Sequence, residues 1–203
     1  MDGVMRGFYS ISEWVMRLAY VNVLWIFFSM IGLLLFGFFP STIAMFAVVR
    51  KWVRKEIDAP IFKIFWSTYR SEFLKSNLLG IVILFSGFLM YFNFTIIEAT
   101  VIPAFKILYI PTIILTMLYI LTLLYIFPVF VHFNIRLVEI IKNSIILMTV
   151  NPLITFSKLV LTGLLIFLYL TFPGVLPFFS GSVIAILLMF LSNHVFQKIQ
   201  ESQ

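Results

Sequence analysis

Acid–base or metal chemistry in this chain would have to come from very few side chains. His132 and His194 are its two histidines, and Glu72 and Glu139 are the carboxylates placed to meet them near the same ends of the surrounding apolar runs. Gathered in one pocket at headgroup depth, they would supply a general acid, a base and an orienting carboxylate. Their spacing makes no metal-ligand pattern, and a histidine at a helix end ordinarily caps the helix or meets headgroups. Glu98 stands alone at the other end of its run. The absence of Cys excludes disulfides, thiolate metal sites and thiol nucleophiles. The sequence holds no P-loop, GxGxxG, HExxH or GxSxG motif. No catalytic, cofactor-binding or metal-binding residue is assigned. The expectation is a protein that is not an enzyme and carries no cofactor.

The remaining polar residues suit helix contacts better than chemistry. Within apolar runs, asparagine more often joins helices than binds a substrate. Asn22, Asn93, Asn134, Asn143, Asn151 and Asn193 are read in that way. Asn151–Pro152 is also a helix-start signal. The candidate structural or interaction residues are Asn22, Pro40, Arg50, Arg70, Asn77, Asn143 and Asn151.

The elements that must carry these residues follow from composition. Of 203 residues, 63% are hydrophobic and 11% charged, and the mean hydropathy is +1.13. A soluble domain is roughly 45–50% apolar and about 25% charged, so the solvent for this chain is a bilayer. Net charge is +6. The cations flank apolar runs, which points to topology and anionic headgroups, with no nucleic acid as partner. Four runs meet the roughly 20 residues needed to cross hydrocarbon, at 18–39, 78–97, 107–131 and 153–172. A fifth, 178–196, follows the tight turn "FPGVLP" with Pro173, Gly174 and Pro177. Pro111 and Pro128 should kink the third run or mark its ends.

Between the runs lie short amphipathic stretches. In "IFKIFWSTYRSEFLKS", Lys63, Ser67, Arg70 and Lys75 take one helical face, and Phe62, Phe65, Trp66, Tyr69 and Phe73 the other. This reads as an interfacial helix with its aromatics in lipid. Residues 134–148 form a weaker version, and the opening stretch to Arg17, with Glu13 and Arg17 at i,i+4, a third.

The stretch "GFFPSTIAMFAVVRKWVRK" decides the topology. Read as a turn at 37–40 and a short return arm at 41–54, it puts 13 of the 14 Lys and Arg on one side, including Arg6, Arg17 and Lys158, and leaves only Lys106 opposite. The positive-inside rule then places both termini in the cytoplasm. The arm, about 20 Å long at 1.5 Å per residue, falls short of a hydrocarbon layer about 30 Å thick. A local echo between 72–79 and 139–146 suggests hairpin units 1–55, 61–132 and 134–203 within a single membrane domain, 1–203. The expected fold is all-α and polytopic: five long transmembrane helices, a short return arm and interfacial amphipathic helices.

This pattern resembles the YesL family of bacterial integral membrane proteins, which carry a domain of unknown function. The resemblance is carried by "ISEWVMRLAYVNVLW" with Asn22 and Trp25, by "FPSTIAMFAVVRKWVR" with Pro40, Thr42, Ala44 and Arg50, and by "IFKIFWSTYRSEFLKSNLLG" with Phe65, Phe73 and Asn77. The later half, around Asn143 and Asn151–Pro152, matches more loosely. What the resemblance implies is an association with ABC-type sugar importers and polysaccharide-degrading enzymes of Gram-positive bacteria, hence a role in carbohydrate uptake. The expected function is that of an accessory membrane protein, with ABC transporter subunits or a second copy as partners. The alternatives are a small solute transporter or channel, and, last, a membrane-embedded enzyme.

Overall fold

The computed structural model describes residues 2–100 and 103–200, with side chains from 9 to 100 and from 105 to 198. The described residues form eight α-helices and two short 3₁₀ turns, with no strand. The helices are α1 (Asp2–Ile31), α2 (Phe38–Val53), α3 (Ile61–Ser71), α4 (Phe73–Ala99), α5 (Tyr109–His132), α6 (Leu137–Val150), α7 (Pro152–Thr171) and α8 (Leu176–Gln200). Five segments are long and apolar enough to cross a membrane: Tyr9–Ile31, Phe73–Ala99, Phe105–His132, Pro152–Thr171 and Pro173–Lys198. Backbone N–H and C=O groups find no partners in lipid, so spans of this composition close their hydrogen bonds internally as helices.

The first long run is not one helix to Phe39. α1 is continuous from Asp2, with no break near Leu18, and it ends at Ile31. The turn spans 32–37, "GLLLFG", earlier than the sequence suggests. Two glycines make it possible. A Cβ on Gly32 would collide with the Gly37 backbone, and one on Gly37 would stand 2.5 Å from the Ser29 carbonyl oxygen and 2.6 Å from that of Phe28. Leu33 and Leu34 adopt left-handed φ values of 57° and 61°. Such angles disfavour any L side chain, and nothing polar in the segment announces a turn. Pro40 follows in the first turn of α2, where a missing N–H breaks no intrahelical bond.

α2 is the hub. Eleven of its residues are buried, from Phe39 to Trp52, and α1, α3, α4, α5 and α8 all pack on it. It runs back alongside α1: Trp25 Nε1 donates to Thr42 Oγ1 at 3.0 Å, and the rings of Trp14 and Trp52 meet edge to face at 5.7 Å. Its 16 residues span about 24 Å. Because protein covers its flanks, that length need not match the hydrocarbon thickness. α4 and α7 are the opposite case and expose most of their leucine, isoleucine and phenylalanine side chains.

α3 departs from the expected lipid-facing helix. It stops at Ser71, so Lys75 belongs to α4. Its aromatic face is divided. Phe65 is fully buried and Tyr69 nearly so, both against Phe28 of α1, with ring centroids 5.4 and 5.1 Å away. Phe62 and Trp66 stay half exposed. Pro111 falls in the first turn of α5, and Pro128 lies buried inside that helix. The element order short, long, long occurs twice, as α3–α4–α5 and α6–α7–α8. The local echo does not align in that order: Glu72 is the junction of α3 and α4, whereas Glu139 lies in the first turn of α6.

Candidate functional site

Two polar clusters stand out, one open and one closed. The open one is a cleft of about 320 Å³ at the end of the bundle where α2 and α5 terminate. α2 contributes Ile43, Ala47 and Arg50, at helical spacing on one face; the end of α3 supplies Thr68 and Ser71. Glu72 and Lys75 enter from the start of α4, and Phe130 to Asn134 from the end of α5. The Lys75 ammonium lies 4.9 Å from the centre of the Phe130 ring, a cation–π distance. The His132 ring packs 4.1 Å from Phe196 of α8. Two buried nitrogens here, Arg50 Nε and His132 Nδ1, have no hydrogen-bond partner. A second cleft of about 210 Å³ lies on the other side of His132, lined by Val53, Arg54, Lys55, Asn193 and Gln197. Lys51 is turned away from both and pairs with Glu56 at 2.6 Å. That hydrogen bond holds the Glu56 carboxyl below the usual carboxylate range.

The closed cluster surrounds Lys158. The positive-inside count groups this lysine with the cations of the cytoplasmic side. The structure instead buries Lys158 fully within the membrane-length span Pro152–Thr171. Its Nζ donates to Ser192 Oγ of α8 at 2.7 Å and to the Leu124 carbonyl of α5 at 3.4 Å. It also sits 3.2 Å from the centre of the Tyr125 ring. The Tyr125 hydroxyl meets Thr155 Oγ1 at 2.8 Å, and Thr155 donates to the Met148 and Asn151 carbonyls at 2.9 Å. One polar knot thus ties α5, α6, α7 and α8. A lysine beside a serine is a nucleophile–base pairing in some hydrolases, but here both side chains are fully buried and no substrate reaches Ser192. The signal was present in the sequence: a lysine seven residues into "PLITFSKLVLTGLL" is an intramembrane charge, the default mark of an unusual site.

The candidate residues distribute as follows. Asn22, fully buried on α1, donates to the Pro177 carbonyl at 2.8 Å and accepts from the backbone N–H groups of Gly181 and Ser182 at 2.9 and 3.1 Å. It therefore bridges the Pro177 carbonyl and the Gly181 N–H, an i,i+4 pair inside the first turns of α8, across 155 residues of chain. Asn77 donates to the Phe36 carbonyl at 3.0 Å, fastening α4 to the α1–α2 turn. Asn151 links α6 to α7 and donates to the Leu147 carbonyl at 3.3 Å. Pro40 is buried in α2, and Arg50 lines the open cleft. Arg70 is exposed and Asn143 half-buried, both outside the two clusters. Of the four acid–base candidates, Glu72 and His132 share the open cleft. Glu139 instead accepts from the Arg136 backbone N–H at 3.1 Å, and His194 contacts its own helix at the Phe190 carbonyl.

Helices alone, five membrane-length spans and exposed apolar faces define a multi-pass α-helical membrane protein. The chain belongs to the YesL-like family: residues 18–94 match the family described as "Protein of unknown function, DUF624". It is 37% identical to the Bacillus subtilis uncharacterized protein YteU over 98% of this chain and 90% of that relative. Identity to YesV of the same organism is 34%, over 97% of this chain and 95% of YesV, and to YesL 33%, over 100% and 96%. No solved structure matches.

Proposed function

We propose that the protein is a non-enzymatic accessory subunit of an ABC-type carbohydrate importer, seated in the cell membrane with both termini in the cytoplasm. The supporting observation is the outer face of α4. Asn93 stands exposed there and Ser86, seven residues before it, half-exposed, among the exposed Val82, Phe85 and Leu89. Asn93 donates to its own Leu89 carbonyl at 2.8 Å, which engages its amide nitrogen and leaves its amide oxygen to accept from a partner. An amide in hydrocarbon is favourable when a neighbouring helix supplies its partner. A membrane-spanning helix of the importer is the partner that the family resemblance suggests. The cytoplasmic orientation draws support from Arg50, Arg54, Lys55 and Lys75, all grouped at the end of the bundle where both α1 begins and α8 ends.

The test is crosslinking from position 93. A photoreactive residue replacing Asn93, in cells grown on an inducing polysaccharide, is expected to capture an importer membrane subunit. The same subunit should co-purify with the tagged protein in mild detergent. Recovery of no importer subunit under induction, or capture of a second copy of this chain alone, overturns the proposal.

A further inference from the structure

We infer that the open cleft is a binding site for a phosphate group, carried either by an acidic membrane lipid or by a soluble anion. The inference is independent of the importer reading. Together the two clefts flanking His132 hold Arg50, Lys75, Arg54 and Lys55 against one carboxylate, Glu72. One alternative account of these cations is that they complement the negative ends of α2 and α5, which terminate here. That account covers Arg54 and His132, which stand at the last residues or just beyond. It does not cover Lys75, which lies in the first turn of α4, where a cation opposes the helix dipole. Arg50 stands in the last turn of α2, so the dipole accounts for its charge, but not for its buried Nε, which donates to nothing in the protein.

A buried donor without an acceptor costs about 1–3 kcal/mol, and a guanidinium is the side chain best shaped to hold phosphate oxygens. Thr68, Ser71 and Asn134 add neutral hydrogen-bonding groups around the same space. The cleft volume of about 320 Å³ is within the usual range of small-ligand sites, about 300–1,000 Å³. Phe130 and Val131 give one wall an apolar surface, which suits the glycerol end of a lipid headgroup as well as a compact phosphate ester.

The full chain in phosphatidylcholine nanodiscs tests this with two probes: phosphatidylglycerol mixed into the disc, and inorganic phosphate added to the buffer. Native mass spectrometry and the thermal midpoint report binding. At least one probe is expected to bind saturably and raise the midpoint. Arg50→Gln with Lys75→Gln is expected to weaken that probe at least about tenfold, or ~1.4 kcal/mol. Lys63→Gln with Arg70→Gln removes the same charge from exposed sites and is expected to change affinity by no more than about twofold. Asn134→Asp keeps both cations and sets a carboxylate at the cleft; it too is expected to weaken binding, and it decides the matter if the double variant does not fold. Phosphatidylglycerol as the sole ligand identifies a lipid headgroup; phosphate binding in phosphatidylcholine discs identifies a soluble ester. Saturable binding of neither probe, equal losses in the two double variants, or unchanged affinity in Asn134→Asp overturns the inference.

Discussion

Single residues here act mainly by closing distances. Gly32 and Gly37 permit two backbones to touch, so Gly37→Ala is expected to destabilise the protein more than Pro40→Ala. Pro40 sits where a helix tolerates many residues, while a Cβ at Gly37 meets two carbonyl oxygens that cannot move without unwinding α1. Thermal unfolding in detergent checks the order, and a larger loss for Pro40→Ala would return the turn to 37–40. Lys158 and Ser192 make an unequal pair. In Lys158→Met the apolar stem is kept, and the Ser192 hydroxyl can turn to a carbonyl of its own helix, a habit of helical serines. In Ser192→Ala the buried Nζ keeps one hydrogen bond, at 3.4 Å to the Leu124 carbonyl, and its place over the Tyr125 ring. Ser192→Ala is therefore expected to cost about 1–3 kcal/mol and Lys158→Met less. The reverse order in melting temperature would give the lysine a role beyond packing.

At the scale of elements, the long spans were legible because about 20 apolar residues have one sensible fold in lipid. Their ends were less so. α1 stops at Ile31 inside an unbroken apolar run, since a glycine-to-glycine contact has no hydropathy. The amphipathic stretch 61–76 was visible, but which of its aromatics face protein was not. Periodicity gives a face, and only the position of Phe28 shows that Phe65 and Tyr69 are covered while Phe62 and Trp66 are not. Phe65→Ala is accordingly expected to cost about 3–5 kcal/mol, well above Trp66→Ala. Comparable losses, measured as folded yield on size exclusion, would mean that α3 rests on lipid. The candidate site was half legible. Arg50 stands out in the motif that carries the family resemblance, but periodicity puts Lys75 on α3 where the structure has it on α4, and nothing in the sequence brings 72–75 beside 130–134.

For the whole molecule, the decisive pattern is which helices are wrapped and which are bare. Residues 14 and 25 lie level with 52 and 42, and Phe196 meets His132 beside the clefts. The beginning of α1, the end of α2 and the end of α8 thus share one end of the bundle. Single cysteines at Ser10 and Lys55, in a chain with none of its own, are expected to respond alike to an impermeant thiol reagent in intact cells, both unlabelled under the proposed orientation. Labelling of one alone would break the α1–α2 hairpin. The wrapping of α2 also bears on how the protein is made. α2 emerges from the ribosome early, yet one of its walls is α8, the last helix of the described chain, which also holds α1 through Asn22. Between those moments a short helix with buried Ser41 and Thr42 and a basic tail has no complete shelter. Biogenesis therefore has a late commitment step. Nascent chains truncated before residue 176 are expected to be degraded by membrane quality control, and co-expression of 173–203 as a separate fragment to restore them.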